Sequence, residues 1–273
     1  MLSIIIPAHN EALRIGRTLE DYTSYFSARI GHNFEIIVVI NGCRDNTEEI
    51  VSEYSQRFNN VKIHHIKGRG KGRAIIAGMK VARGDLLAFT DADGATKAAE
   101  LGKLFTHLGY SEGAIASRWL PQSVRSPRQS LSRTIVSRAW NILIRMILKL
   151  PYRDTQCGAK LFTRAAISTV INDLTINGFA FDIELLYRLK LKNLQVVEVP
   201  ISWNNRELST LNIFHCIPDM LRDLIKIKRL RVPQPGVDKL SLTRAYQSSD
   251  GFLPIDQERP LRNAESEAEV SIL

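Results

Sequence analysis

The run FEIIVVI at residues 34–40 constrains this chain more than any other feature. Nearly every position in it is apolar and it ends at turn-forming residues, so it reads as a strand buried on both faces of a parallel sheet. The pattern recurs in SIIIP (3–7), VKIHHI (61–66) and DLLAFT (85–90). Amphipathic stretches lie between the runs. One helix is expected to begin near Asn10 with Glu11 in its first turn, a second near Asn46, and a third from about Lys71 to Arg83, stopping at Gly84. A β–α–β–α–β–α–β order implies a parallel sheet with right-handed crossovers. Ligands of such sheets bind beyond the carboxyl ends of the strands. With 273 residues, 44% of them hydrophobic, the chain can bury a full core without disulfides or a structural metal.

The pattern changes after residue 110. LSRTIVSRAWNILIRMILKL (131–150) reads as a long helix whose polar positions, Ser137, Asn141, Arg145 and Lys149, leave an unusually wide apolar face. A second amphipathic helix is expected over Pro218–Arg231, with Ile217, Met220, Leu221, Leu224 and Ile225 on one side and a basic end. The expected organisation is a catalytic domain over 1–206, an amphipathic helical extension over 207–231 and a disordered tail over 232–273.

Charge divides the chain. Residues 1–231 carry 33 basic and 21 acidic side chains, whereas the remainder carries 4 and 7. Between Trp119 and Arg153 there are seven basic residues and no acidic one. Such a stretch suits nucleic acid, anionic lipid or a phosphorylated substrate. Cys43, Cys157 and Cys216 are widely spaced and form no CxxC, which supports neither a zinc knot nor a disulfide framework and fits a reducing compartment. MLSIIIPAHNEA lacks the marks of a signal peptide, and no window offers about 18 uncharged apolar residues for a membrane span. A cytoplasmic protein attached peripherally to a membrane is expected.

Three strand ends carry polar clusters: PAHNE, NGCRDNT and DADG. GRGKGRA (68–74) matches neither GxGxxG nor a P-loop, and GxSxG and HExxH are absent. Asp91 and Asp93, at i and i+2 in an extended segment, point the same way. Converging carboxylates are a costly pair unless a cation neutralises them. Mg²⁺ or Mn²⁺ takes one or two carboxylates together with substrate phosphates, so the pair points to a metal-bridged diphosphate. The competing reading is that these residues cap a helix starting near Thr96.

At this point SIIIPAHNEALRI, FEIIVVINGCRDNT, GRGKGRAIIAGMKVARGD, FTDADGATK, RDTQCGAKLFTR, GFAFDIELLYR and VVEVPISWNNR, in order over residues 2–206, resemble family 2 glycosyltransferases of the GT-A fold. Within them the chain is similar to the polyprenyl-phosphate branch, dolichyl-phosphate glucosyltransferases more than mannosyltransferases. The resemblance implies an α/β fold: a Rossmann-like nucleotide-sugar-binding mixed sheet flanked by helices, with C-terminal amphipathic helices. It implies an inverting hexose transfer, with glucose from UDP-glucose as the expected donor chemistry, a polyprenyl phosphate acceptor, and Mg²⁺ or Mn²⁺. Pro7, Ala8, Asn10 and Glu11 then line base and ribose. Asn41 stands where many relatives carry an acid, and its amide offers a donor and an acceptor to uracil. Lys71 stands near the nucleotide, and Asp91, Ala92 and Asp93 hold ribose and metal. Ala95 replaces a Gln of the mannosyl members, leaving water to complete the metal shell.

For the acceptor phosphate, Arg125, Arg128, Arg133 and Arg153 are the expected partners, with Asp154 and Gln156 in the same neighbourhood and Asp182 facing sugar or acceptor. Glu184 is expected to complement its helix dipole, and Trp203 either stacks on the sugar or joins the core. A hydroxyl acceptor, soluble or glycan, is the rival, and would need Asp154, Asp182 or Glu184 as general base. GDP-mannose is the rival donor. A sugar nucleotidylyltransferase would carry a glycine-rich loop after its first strand, where this chain has PAHNEALR. A basic membrane-surface protein is the non-enzyme reading. Nucleic acid is not an expected partner, and the sequence leaves the oligomeric state open.

Overall fold

In a computed structural model the described residues are 1–126, 131–204 and 213–230, without the side chains of 131–133 and 213–216. They fall within one compact unit, Met1–Val237. The tail expected over 232–273 and the residue Arg128 lie outside the description, as does the side chain of Arg133.

The four expected strands form. They are β1 (Leu2–Ala8), β2 (Phe34–Ile40), β3 (Val61–His65) and β4 (Leu86–Phe89), and they pair in parallel. The intervening helices are α1 (Ile15–Ile30), α2 (Thr47–Arg57) and α3 (Lys71–Val81). Then follow α4 (Ala98–Leu108), β5 (Gly113–Ser117), β6 (Val124–Ser126) and α5 (Leu131–Leu148). The chain continues through β7 (Lys160–Thr163), α6 (Arg164–Ser168), α7 (Phe181–Leu191), β8 (Val196–Pro200), β9 (Ser202–Asn204) and α8 (Ile213–Lys228).

The sheet order is β3-β2-β1-β4-β7-β5-β8, and β6 pairs with β9 separately. β7 alone runs against its neighbours β4 and β5, which makes the sheet mixed. That reversal positions the site. Because β7 is antiparallel to β4, its first residue, Lys160, stands opposite Phe89, the last residue of β4. The loop entering β7 therefore meets the loop leaving β4.

Alternation along β1 sends Ile4 and Ile6 to one face and Ile5 to the other. The first face is covered by α1, α2 and α4 through Leu19, Tyr22, Phe26, Val51, Leu101 and Leu104. The second is covered by α3 and α5–α8 through Ile75, Met79, Ile144, Phe181, Leu185 and Leu224. Burial on both faces is why β1 and β2 read as continuous apolar runs.

Three boundaries differ from expectation. α1 starts at Ile15, not near Asn10, because Asn10 is left-handed (φ 56°) and Glu11 instead closes a turn with Arg14 and Ile15. α3 stops at Val81, because the following strand is pinned: the Arg83 and Gly84 amides donate to Glu35 and Ser3, which bond each other. α8 starts at Ile213 and carries Pro218 inside it.

Candidate active site

The carboxyl ends of β1, β2 and β4 converge with the start of α3 and the loop entering β7. His9 Nδ1 lies 2.8 Å from the Asn41 carbonyl, and the Asn41 amide donates to Ala8 at 3.0 Å. Asn10 Oδ1 accepts from the Arg44 amide at 2.8 Å, so the loops after β1 and β2 are laced together. Asn41 is buried, and its Oδ1 has no hydrogen-bond partner among the described residues. Glu11 meets Arg14 at 2.6 Å, yet burial pushes its carboxyl up to about 7 against that pull.

Asp91 and Asp93 do not cap α4. The Ala98 amide at the start of that helix is taken by Asp21 of α1 at 2.8 Å. Asp93 instead accepts from the Ala95 amide at 2.9 Å, around a left-handed Gly94. Burial raises the Asp93 carboxyl above its ordinary range, and the neighbouring Asp91 raises it further. Burial works the same way on Asp91, but the Lys71 ammonium at 2.7 Å, aided by Lys160 and Arg118, holds it below the usual carboxylate range. Gly158 makes room for this carboxylate: a Cβ at 158 would fall on Asp91 Oδ2.

This donor set fits a divalent cation only in part. No group of three or more His, Cys, Asp or Glu converges among the described residues. The chain offers two carboxylates, and at Asp93 burial, then the neighbouring Asp91, disfavours the anion. That matches an oxygen-seeking cation that completes its shell with substrate phosphates and water.

Three carboxylates deeper in the site are paired. Asp154 is fully buried and accepts from Arg118 through Nε at 2.7 Å, Nη2 at 2.9 Å and the backbone amide at 3.0 Å. Asp182 is buried between Lys160, at 2.6 Å, and Lys71, at 3.9 Å. Glu184 accepts from the Thr175 and Ile176 amides and from Arg188. Burial pushes the Cys157 thiol up to about 12, leaving it a packing group.

On the side of the acid-free stretch, the Arg125 and Arg138 guanidinium carbons lie 4.1 and 4.7 Å from the Trp119 ring centre. The buried Trp119 Nε1 has no partner among the described residues. The Arg153 side chain is exposed, and its backbone amide is held by Glu198. Gln156 is engaged at both ends of its amide, by Trp140 at 2.8 Å and by the Phe179 carbonyl at 3.0 Å, so it braces its loop. Trp203 is half-buried beneath Arg118, at 5.5 Å, and packs on the core.

Sequence reasoning did not single out Arg118, Gly158, Lys160 or Trp119, and it counted Arg138 only among the seven cations of the acid-free stretch. Arg118 follows the apolar strand GAIAS, so the strand-end logic applied to PAHNE would have found it. Lys160 interrupts the otherwise apolar CGAKLF, and a charge there needs a buried partner.

A sequence profile of glycosyl transferase family 2 matches residues 3–171. The dolichyl-phosphate beta-glucosyltransferase of Homo sapiens is 34% identical over 257 residues, covering 89% of this chain and 79% of its own. That of Saccharomyces cerevisiae is 31% identical over 246 residues, covering 83% and 74%. Among solved structures, glucosyl-3-phosphoglycerate synthase from Mycobacterium tuberculosis in complex with Mn²⁺, UDP and glucosyl-3-phosphoglycerate superposes with a TM-score of 0.62. It shares 16% identity and covers 87% of this chain and 82% of its own, a likeness of fold.

Proposed function

The chain belongs to glycosyl transferase family 2, and on that premise we propose that it moves glucose from UDP-glucose to the phosphate of a dolichyl or other polyprenyl phosphate. One observation carries the choice of acceptor. Each carboxylate that would serve a hydroxyl acceptor as general base is already neutralised: Asp154 by Arg118, Asp182 by Lys160 and Lys71, Glu184 by Arg188. A phosphate monoester has a second pKa of about 6 and is largely dianionic near neutral pH. It is a nucleophile without a base.

In the proposed step a phosphate oxygen forms the new bond to the anomeric carbon. The bond from that carbon to the diphosphate oxygen breaks, and its electron pair leaves with UDP. Attack from the opposite face inverts the carbon. Asp91 and Asp93 would hold Mg²⁺ or Mn²⁺, which supplies positive charge for the departing diphosphate. Pro7, Ala8, Asn10, Glu11 and Ala92 line base and ribose, and the unpartnered Asn41 Oδ1 suits the uracil N–H. Arg125 and Arg138, splayed on Trp119, receive the acceptor phosphate; guanidinium suits this through paired N–H donors. Arg128, Arg133 and Arg153 belong to the same cationic stretch. Asp154, Gln156 and Asp182 act by shaping the site. The names of the relatives support glucose and dolichyl phosphate.

The same reading puts the protein at a membrane surface. No helix among the described residues is long and apolar enough to cross a membrane. α5 exposes Ile135, Ile142 and Met146 along one stripe beside Arg145 and Lys149, and α8 exposes Leu221 and Ile225 beside Lys228 and Arg229. Apolar stripes flanked by cations suit an anionic headgroup layer.

The test is transfer of label by purified protein given dolichyl phosphate in detergent. With Mn²⁺ and labelled UDP-glucose, label is expected in the organic phase, and labelled GDP-mannose should leave that phase at background. Label entering from GDP-mannose at the higher rate would overturn the donor, and no label from either would overturn the reaction.

A further inference from the structure

Lys71 stands between two carboxylates. Its Nζ lies 2.7 Å from Asp91 Oδ1 and 3.9 Å from Asp182 Oδ2. The two carboxylates differ in freedom. Asp91 is half-buried at the mouth of the site, whereas Asp182 is 2% exposed and its other oxygen is held at 2.6 Å by Lys160. Lys160 is itself fully buried and anchored at 2.6 Å on the Cys157 carbonyl. Asp182 is therefore a fixed station.

The backbone beneath Lys71 is fixed as well. Gly70 and Gly72 on either side let α3 press against the segment leading into α7. A Cβ at 70 would strike the Asn177 carbonyl, and one at 72 would meet the Ile176 carbonyl and Phe181. The Arg73 amide donates to Asn177 O at 3.2 Å across the same contact. Any motion of the ammonium is thus a swing of the side chain, from the near carboxylate to the far one.

We propose that Lys71 is a built-in counter-ion of the site, resting on Asp91 and yielding it to a divalent cation by turning to Asp182. The inference rests on the reading of Asp91 as a metal ligand. An ammonium within hydrogen-bond reach of Asp91 repels a doubly charged ion bound to the same carboxylate. Lys71 therefore competes with the cation. Asp182 is a positioning residue: it draws the ammonium away and so eases cation binding, and it also neutralises Lys160 behind it.

The test is Mn²⁺ affinity without nucleotide, read from the free-ion signal in electron paramagnetic resonance. Lys71→Met should bind Mn²⁺ at least about fivefold more tightly than wild type, since the competing charge is gone. Asp182→Asn, which keeps an oxygen for Lys160, should bind it about as many times more weakly. In the Lys71→Met background, Asp182→Asn should weaken binding by a clearly smaller factor, because only the unmasked charge of Lys160 then remains to act on Asp91. A Lys71→Met protein that binds Mn²⁺ no more tightly than wild type overturns the competition, and that variant alone decides it if Asp182→Asn does not fold. An equal loss on Asp182→Asn in both backgrounds overturns the positioning role. The metal reading is judged separately, by whether wild type binds Mn²⁺ in the presence of UDP.

Discussion

Asp91→Asn is expected to lower turnover by about three orders of magnitude while leaving the fold intact. The substitution removes a charge from the pair that would hold the cation facing the departing diphosphate. Metal stabilisation of such charge amounts to several kcal/mol, and about 1.4 kcal/mol is a factor of ten in rate. The fold should tolerate the change, because Lys71 keeps Asp182 within 3.9 Å and Asp91 is only half-buried. Asp93→Ala should act alike, and EDTA should abolish turnover of the wild type. Gly158→Ala should reach a similar endpoint differently, by driving the Asp91 carboxylate out of place. Label transfer measures the rate and thermal unfolding monitors the fold. An Asp91→Asn protein retaining a tenth of wild-type activity would remove this carboxylate from the mechanism.

The largest effect on stability is expected at Lys160. Its ammonium is fully buried on Asp182, itself 2% exposed. Removing one partner of a buried pair leaves the other charge uncompensated, at a cost of about 3–5 kcal/mol. Lys160→Met keeps the volume and deletes the charge, so it isolates this term. Lys71 offers Asp182 only a distant substitute, because it is drawn to Asp91. Denaturant unfolding should show a lower midpoint with an unchanged slope. A loss below about 1 kcal/mol would mean that water or Lys71 satisfies Asp182 unaided.

Much of the sheet was legible because burial leaves a one-dimensional trace. β1 and β2 are covered on both faces, so their apolar runs are unbroken, and β2 falls on the predicted residues Phe34–Ile40. β7 left no such trace. It is four residues long, begins with a lysine, and owes its place between β4 and β5 to pairing over some seventy residues of chain. The small β6–β9 sheet is exposed along β6 and has no apolar pattern to read. The site divides the same way. Asp91 and Asp93 announce themselves by spacing, and Lys71 by its place after a strand. Gly158, Lys160 and Arg118 matter through what β7 and its entry loop bring beside them, which no local pattern encodes. Asn10 shows the opposite failure. It reads as the start of a helix, but its left-handed backbone and its bond to the Arg44 amide belong to a loop.

The central claim is that the acceptor brings its own nucleophile, because Asp154, Asp182 and Glu184, the carboxylates a hydroxyl acceptor would need as base, are paired with cations. The most direct measurement is glucose transfer by the wild-type protein to dolichyl phosphate and to dolichol, at equal concentration in the same detergent with Mn²⁺ and UDP-glucose. Transfer to the phosphate and none above background to the alcohol is the predicted result. Glucosylation of dolichol at a comparable rate would show that a carboxylate of this site acts as a base, and would contradict the account.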